Sequence, residues 1–228
     1  SRQLRDDREI TRAADDVRNK LTEAKVQIQC LLKRHQARRP KESGKGWTSA
    51  FRRWLVALSE REELLPYGSR VALGSLLRQV AWLEEEEKKL LGEVATLAEA
   101  PRHVRAVRAL SKLAGVGVWT ALVFLLELGD PSRFQNRRQV GAHLGLVPSS
   151  DDSGETVGKH GHITRQGPAR LRKALCQAVW ARIRSDGGEK AVYERIVKRN
   201  PKHKKIAVVA SMRRLAIRLW HEACRSRA

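Results

Sequence analysis

The chain is short of the residues that staple, anchor or coordinate. Its three cysteines, Cys30, Cys176 and Cys224, lie far apart with no CxxC spacing, which excludes a disulfide framework and a zinc knuckle and makes a reducing cytoplasm the natural compartment. His160 and His162 have no companion cysteine or carboxylate at a diagnostic spacing, so no metal ligand is expected in this chain. No apolar run approaches the roughly 18 residues that cross a bilayer, and residues 1–30 lack the apolar stretch of a signal peptide, so no membrane partner is expected. No methionine opens the sequence, which begins on a charged helical pattern, and a piece of a longer protein is therefore expected.

Acidic residues are scarce as well. Twenty-five Asp and Glu face 46 Lys and Arg, a net charge of +21 that favours a polyanionic partner, with nucleic acid the leading class. The imbalance is uneven: residues 1–100 carry 20 basic and 16 acidic side chains, residues 101–228 carry 26 and 9. This asymmetry predicts two regions, 1–100 and 101–228, with electrostatic binding chiefly in the second.

The first region is written in heptads. Ile10, Ala14, Val17, Leu21, Ala24, Ile28 and Leu31 recur at steps of four and three, an apolar seam along one side of a long helix. After a breaker cluster at 38–46, Trp47, Phe51, Trp54, Leu55 and Leu58 mark a shorter helix. Leu73, Leu76, Val80, Leu83, Leu90, Val94 and Leu97 then repeat the rhythm, with Glu87 the one polar intruder. Two long helices with matching seams predict an antiparallel coiled coil, closed within the chain or with another subunit. Glu87 is either a register device or the mark of an open end.

The second region predicts further helices with sharper punctuation. Residues 102–112 and 118–128 flank the turn at Ala114, Gly115, Val116 and Gly117, a helix-hairpin-helix pattern. Gly115 and Gly117 permit positive backbone dihedrals and close approach, and amides opening the second helix can face a phosphate. The same glycines serve equally well in a packing module. Asn136 is placed to cap a short helix reaching His143, and Pro148 is expected to end regular structure. From 149 to 167 no apolar period persists, and the residues are nucleophilic, acidic and basic; such loops between rigid helices often carry chemistry. A helix from 169 to 184 exposing Arg170, Arg172, Lys173 and Arg182 is expected to stop at Gly187 and Gly188, and a last amphipathic helix follows Pro201. Within the loop, Lys159 and Arg165 are candidate phosphate ligands, and Lys204, Lys205, Arg213 and Arg214 are candidates for backbone contacts to nucleic acid.

Gly115 and Gly117, Thr120-Ala121, residues 127–130 and 145–148, Ser153-Gly154, Ile163-Thr164, Gly167, residues 191–195 and the basic stretch 204–220 together resemble the carboxy-terminal transposase domain of the insertion-sequence 110 family. That family comprises bridge-RNA-guided serine transposases and a pilin-gene inversion recombinase. The resemblance implies a mainly α protein, a coiled-coil region followed by a helix-hairpin-helix-containing transposase domain, working with DNA and a guide RNA as a homo-oligomer in the bacterial cytoplasm at the nucleoid. It places Ser153 on the family's Ser-Gly motif, as the nucleophile that attacks DNA; Ser149 and Ser150 are competitors on residue type alone. Glu155 stands where a second glycine is common, Pro168 where Asn is usual, and one additional residue separates Ser153 from Ile163. Family members also carry an amino-terminal RuvC-like domain whose acidic residues bind Mg2+. This chain has no β-rich segment of that size, so no cofactor is expected in it. Two other readings use the same residues: a noncatalytic helix-hairpin-helix scaffold that binds DNA, and, less well matched, a recombinase using Tyr193.

Overall fold

Heptad spacing becomes two 33-residue helices, α1 (Arg2–Arg34) and α3 (Tyr67–Glu99), in a computed structural model that describes residues 2–150, 160–199 and 201–226. The chain divides into two compact units, one of residues 9–93 and the other of residues 1–8 with 94–228.

In the first unit α1 and α3 run antiparallel. Arg18 Nε donates to Glu87 Oε1 at 2.8 Å, Lys25 Nζ meets Glu84 at 2.8 Å, and Ser69 Oγ lies 2.8 Å from His35 Nε2, so partners on α3 descend as those on α1 rise. The seam thus finds its partner within the chain, and Glu87, the polar intruder, receives an arginine across it. α2 (Ser49–Glu60) closes the core, where Leu21, Ile28 and Leu31 pack with Phe51, Leu55, Leu58, Leu73, Val80 and Leu83.

Local chemistry sets the ends of these helices. Lys33 and Arg34 occupy the last turn of α1, where the helix dipole favours cations. Gln36 then adopts a left-handed φ of 52°, and its amide and that of Ala37 return to the carbonyls of Lys33 and Leu32 in a Schellman-type stop. Arg39 fixes the connection by donating to Ser43 Oγ (2.9 Å) and Gly46 O (2.6 Å), with its guanidinium 3.9 Å from the Phe51 ring centroid. Thr48 caps α2 by accepting from the Phe51 amide at 3.1 Å.

The second unit is built around α5 (Val118–Leu128), eight of whose eleven residues are buried, so it is apolar all round and not amphipathic. Against it pack α4 (Val104–Ser111) and α7 (Ala169–Ser185), and α9 (Lys204–Arg225) packs on α4, α6 (Arg137–His143), α7 and α8 (Gly187–Arg199). Trp220 Nε1 donates to the Pro131 carbonyl at 2.9 Å in the interior. Two strands, β1 (Pro148–Ser150) and β2 (His160–Ile163), form the one sheet among the described residues. The chain is mainly α, as its sequence indicates.

Two local expectations are corrected. Pro148 does not end regular structure: it takes the first position of a strand, where its missing amide removes no needed bond. Gly187 and Gly188 do not stop α7. Asp186 does, leaving the helical region at φ −122°, while its Oδ1 accepts from the amides of Gly188 (2.9 Å) and Glu189 (3.2 Å) to start α8 on those glycines.

The first residues of α1 are held in the second unit by charge. Asp7 accepts two bonds from Arg102, at 2.7 and 3.0 Å, and sits 2.8 Å from His103 Nε2; Arg8 Nε donates to Leu126 O at 2.6 Å. The Arg102 hydrogen bonds hold the Asp7 carboxyl below its ordinary range, aided by His103 and opposed by burial.

Two outcomes follow from this packing. Leu73 is fully buried, and Leu73→Ala should lower unfolding free energy by about 2–5 kcal/mol in urea titrations. Because the folded Asp7 pKa lies below the unfolded one, its contribution is present at neutral pH and is lost as pH falls through the folded value. The Asp7→Asn variant should therefore be less stable than the unaltered chain at pH 7, with the difference shrinking in acid.

Candidate functional site

The elements around the loop singled out by the sequence are set by a crossing of two chain segments. Asn136 begins α6 by accepting from the amides of Arg138 and Gln139 at 3.0 and 3.1 Å. α6 ends at His143, and Gly145 turns the chain with a φ of +63°. β1 follows, pairs antiparallel with β2 through Pro148 with Ile163 and Ser150 with His160, and carries an irregularity between those pairs. The pairing continues outside the strands: the Thr164 amide donates to Val147 O at 2.9 Å and the Arg165 amide to Gly145 O at 3.2 Å.

Glycine permits this closeness. A Cβ on Gly145 would come within 2.6 Å of the Gln166 amide nitrogen, and one on Gly167 would run into the His143 carbonyl oxygen and within 2.8 Å of the Leu144 carbonyl carbon. The hairpin is closed at its base by backbone against backbone. Arg172, from the first turn of α7, ties the same point by donating to Gly167 O at 2.7 Å and Leu144 O at 3.3 Å.

The two strands bracket residues 151–159. Ser153 and Lys159, the expected nucleophile and one expected phosphate ligand, fall there and lie outside the described residues. Of the competing serines, Ser149 has its hydroxyl engaged, with Oγ donating to His162 O at 2.9 Å. Arg165 is exposed at the hairpin's base, in a left-handed conformation of φ 55°. Burial, and then the charge of Arg165 nearby, pull the Arg172 guanidinium below its ordinary pKa. Two like charges thus share the base of the hairpin. His143, on the same turn, rests against Phe134 with ring centroids 5.3 Å apart and has Nε2 3.0 Å from Arg133 Nη2. Burial, and then Arg133, push its pKa down. A neutral His143 can accept a hydrogen bond from Arg133 at Nε2.

The remaining expected ligands are distributed. Gly115 (φ +77°) is pressed on α7, where a Cβ would lie 2.6 Å from Ala178 O and 2.8 Å from Arg182 N, whereas a Cβ on Gly117 would meet nothing within 4 Å. The first glycine therefore serves a helix contact, and the second stands open at the start of α5. Arg170 lies half-buried on α7, and Lys204 and Lys205 are exposed at the start of α9. Arg213 Nε approaches Gly141, 3.0 Å from where its Cβ would be. Arg214 turns to α8, 3.6 Å from Glu189.

Glu189 is a residue that sequence reasoning missed. It is buried and gathers Arg218 at 2.9 Å and Arg182 at 3.4 Å as well as Arg214. Arg182, expected on the exposed face of α7, is instead buried; it donates to Ala114 O at 3.1 Å and so links this carboxylate to the turn between α4 and α5. The signal available in the sequence was an arginine in the middle of an otherwise apolar helical stripe.

If the crossing is as tight as described, Gly167→Ala should cost about 1–3 kcal/mol from overpacking, while Gly117→Ala, with open space before it, should stay within about 0.5 kcal/mol. Equal unfolding midpoints for the two variants would rule the crossing out.

Comparison with known proteins agrees with this layout. Residues 107–194, from within α4 to within α8 and including the whole hairpin, match the family described as Transposase IS116/IS110/IS902. A putative transposase of Sinorhizobium fredii, y4qE, is 29% identical over 173 residues, covering 76% of this chain and 39% of that protein. An insertion element IS110 protein of Streptomyces coelicolor is 26% identical over 164 residues, covering 71% and 39%. A pilin gene-inverting protein of Moraxella bovis is 30% identical over 109 residues, covering 46% and 33%. Each of these relatives is more than twice as long as the part this chain matches. Through residues 107–194, the chain is similar to the IS116/IS110/IS902 transposase family.

Proposed function

We propose that this chain is the helical, DNA-handling part of a transposase in which Ser153 is the nucleophile. The observation that carries the reading is the hairpin: a family-matched segment clamped at its base by glycine crossings, bracketing a Ser-Gly pair, with Arg165 and Arg172 adjacent. A serine hydroxyl is a weak nucleophile at neutral pH and needs positive charge near the phosphorus it attacks. Guanidinium groups supply that charge in a form suited to phosphate oxygens.

In the proposed step Ser153 Oγ bonds to a DNA phosphorus as the bond from that phosphorus to a sugar oxygen breaks. The serine loses its proton, and the departing sugar oxygen gains one. Strand joining is the reverse, with a sugar hydroxyl of another strand attacking the phosphoserine. Since the chain covers about two-fifths of its longer relatives or less, the complete protein is proposed to add an acidic, Mg2+-binding domain, a guide RNA and further copies of itself. Among the described residues no three His, Cys, Asp or Glu side chains gather to hold a metal. The described residues therefore do not by themselves fit a metal centre.

A noncatalytic DNA-binding scaffold is the second reading, favoured by Gly117, which stands open at the start of α5. The Tyr193 alternative gains no comparable support: that side chain sits on α8 against Trp180, with ring centroids 5.8 Å apart. The test is capture of a covalent protein–DNA adduct by the complete transposase with its guide RNA and both DNA partners. Ser153→Ala should reduce adduct and cleavage on the order of 10³-fold or more while DNA affinity stays within about twofold, because one hydroxyl carries the chemistry but little contact area. Ser149→Ala should leave the adduct in place. An adduct formed at the normal rate by Ser153→Ala would sink the nucleophile and leave the scaffold.

A further inference from the structure

A second surface of the same unit, apart from the hairpin, is built from cations of which only Arg214 has so far been given a nucleic-acid role. Arg105, Arg108 and Lys112 follow one another at steps of three and four, which places them on one face of α4 and its C-terminal extension. All three are exposed. α9 packs against α4, and between them opens a groove of about 500 Å³ lined by these three cations, by Arg225 from the last turn of α9, and by Val104, Ala109 and Glu222. Arg225 is also the end of a row. Arg214, Arg218 and Arg225 are spaced by four and seven, so they share one stripe of α9, which extends for about 16 Å at 1.5 Å per residue.

Carboxylates are present, but they orient the cations without covering them. Glu222 holds Arg225 at 2.8 Å, and the arginine side chain remains 76% exposed; Glu99 holds Arg108 at 2.7 Å, with 70% exposed. Glu189 does the same for Arg214 and Arg218 from a buried position. Positioned guanidinium groups with free faces suit a row of phosphates, because less side-chain freedom is lost when each bond forms. The groove offers two small aliphatic side chains and no enclosed apolar cavity, unlike the lining of a small-molecule pocket. One strand of a duplex presents a phosphate about every 3.4 Å along its axis, or about five over the length of the α9 stripe.

We propose that the groove between α4 and α9 is a track for the phosphate backbone of duplex DNA, separate in its residues from the hairpin. The choice of DNA rests on the transposase reading above; the phosphate chemistry rests on the groove alone. The track reads no sequence. It holds the duplex by charge while chemistry takes place elsewhere.

The test is binding of a 30-base-pair duplex by the chain as it stands, followed across salt concentrations. A triple variant, Arg105→Ala with Lys112→Ala and Arg225→Ala, should bind at least about tenfold more weakly and flatten the log–log salt slope by about 2–3, as expected for three lost phosphate contacts. A control removing the same charge from the other unit, Lys20→Ala with Lys88→Ala and Lys89→Ala, should change affinity by less than about twofold. Equal losses in the two triples would overturn the proposal, as would absence of binding by the unaltered chain. Ala109→Trp fills the groove without changing charge and should also weaken binding; unchanged affinity in that variant, with its helicity and melting intact, would overturn it too. A groove triple that loses duplex RNA but keeps duplex DNA would overturn the assignment to DNA. The assay does not involve Ser153: loss of binding in the groove triple together with a normal covalent adduct from Ser153→Ala would leave the track standing and remove the nucleophile.

Discussion

Two chain segments cross where residues 143–145 meet residues 165–167, at a separation that leaves no room for a Cβ, and the geometry of the candidate site follows from that crossing. It fixes where the hairpin starts and where it returns. It also brings the first turn of α7 under both segments, so that one guanidinium, that of Arg172, satisfies a carbonyl from each. Buried carbonyls need such partners, and a positively charged donor satisfies them more strongly than a neutral one. In the proposed reaction, the same choice supplies a cation beside the phosphate. Structural and chemical demands are met by one side chain.

Throughout the second unit, carboxylates are outnumbered and are used to aim arginines. Glu189 receives three, and one of them, Arg182, continues to the Ala114 carbonyl in the turn before α5. A buried carboxylate surrounded by several guanidiniums is not left as an unpaired charge, and the surplus remains positive at the surface. In the first unit the charge pattern is different. Arg18 with Glu87, and Lys25 with Glu84, pair one to one along an antiparallel seam. The two units thus spend their charges differently, one on self-pairing and one on leaving cations presented.

Periodicity made the long helices legible. Ala14, Leu21, Ala24, Ile28 and Leu31 are buried as their spacing requires, as are Leu73, Val80 and Leu83 on the returning helix, and Asn136 caps α6 as its side chain predicts. What was not legible depends on contacts distant in sequence. Two strands of three and four residues are too short to show alternation, and Pro148 reads as a breaker until its position at the strand's start is known. Gly187 and Gly188 read as a stop, because the cap that turns them into a start belongs to Asp186. Arg182 and Glu189 are ordinary charged residues in sequence and become a buried pair only when α7, α8 and α9 assemble. Ser153 was reached by resemblance and by no periodicity at all, since a serine before glycine is first of all a turn residue.

The crossing tolerates no added methyl group at Gly145 or Gly167, so both ends of the segment it closes are pinned by backbone. Closing a loop costs entropy only logarithmically in its length, about 0.6 kcal/mol for each doubling, so the one additional residue between Ser153 and Ile163 is nearly free of thermodynamic consequence. A neck of this kind holds the entry and exit vectors fixed whatever the length of the sequence between positions 150 and 160. Divergence among related proteins can then alter what surrounds the proposed nucleophile, Ser153, without refolding anything beneath it.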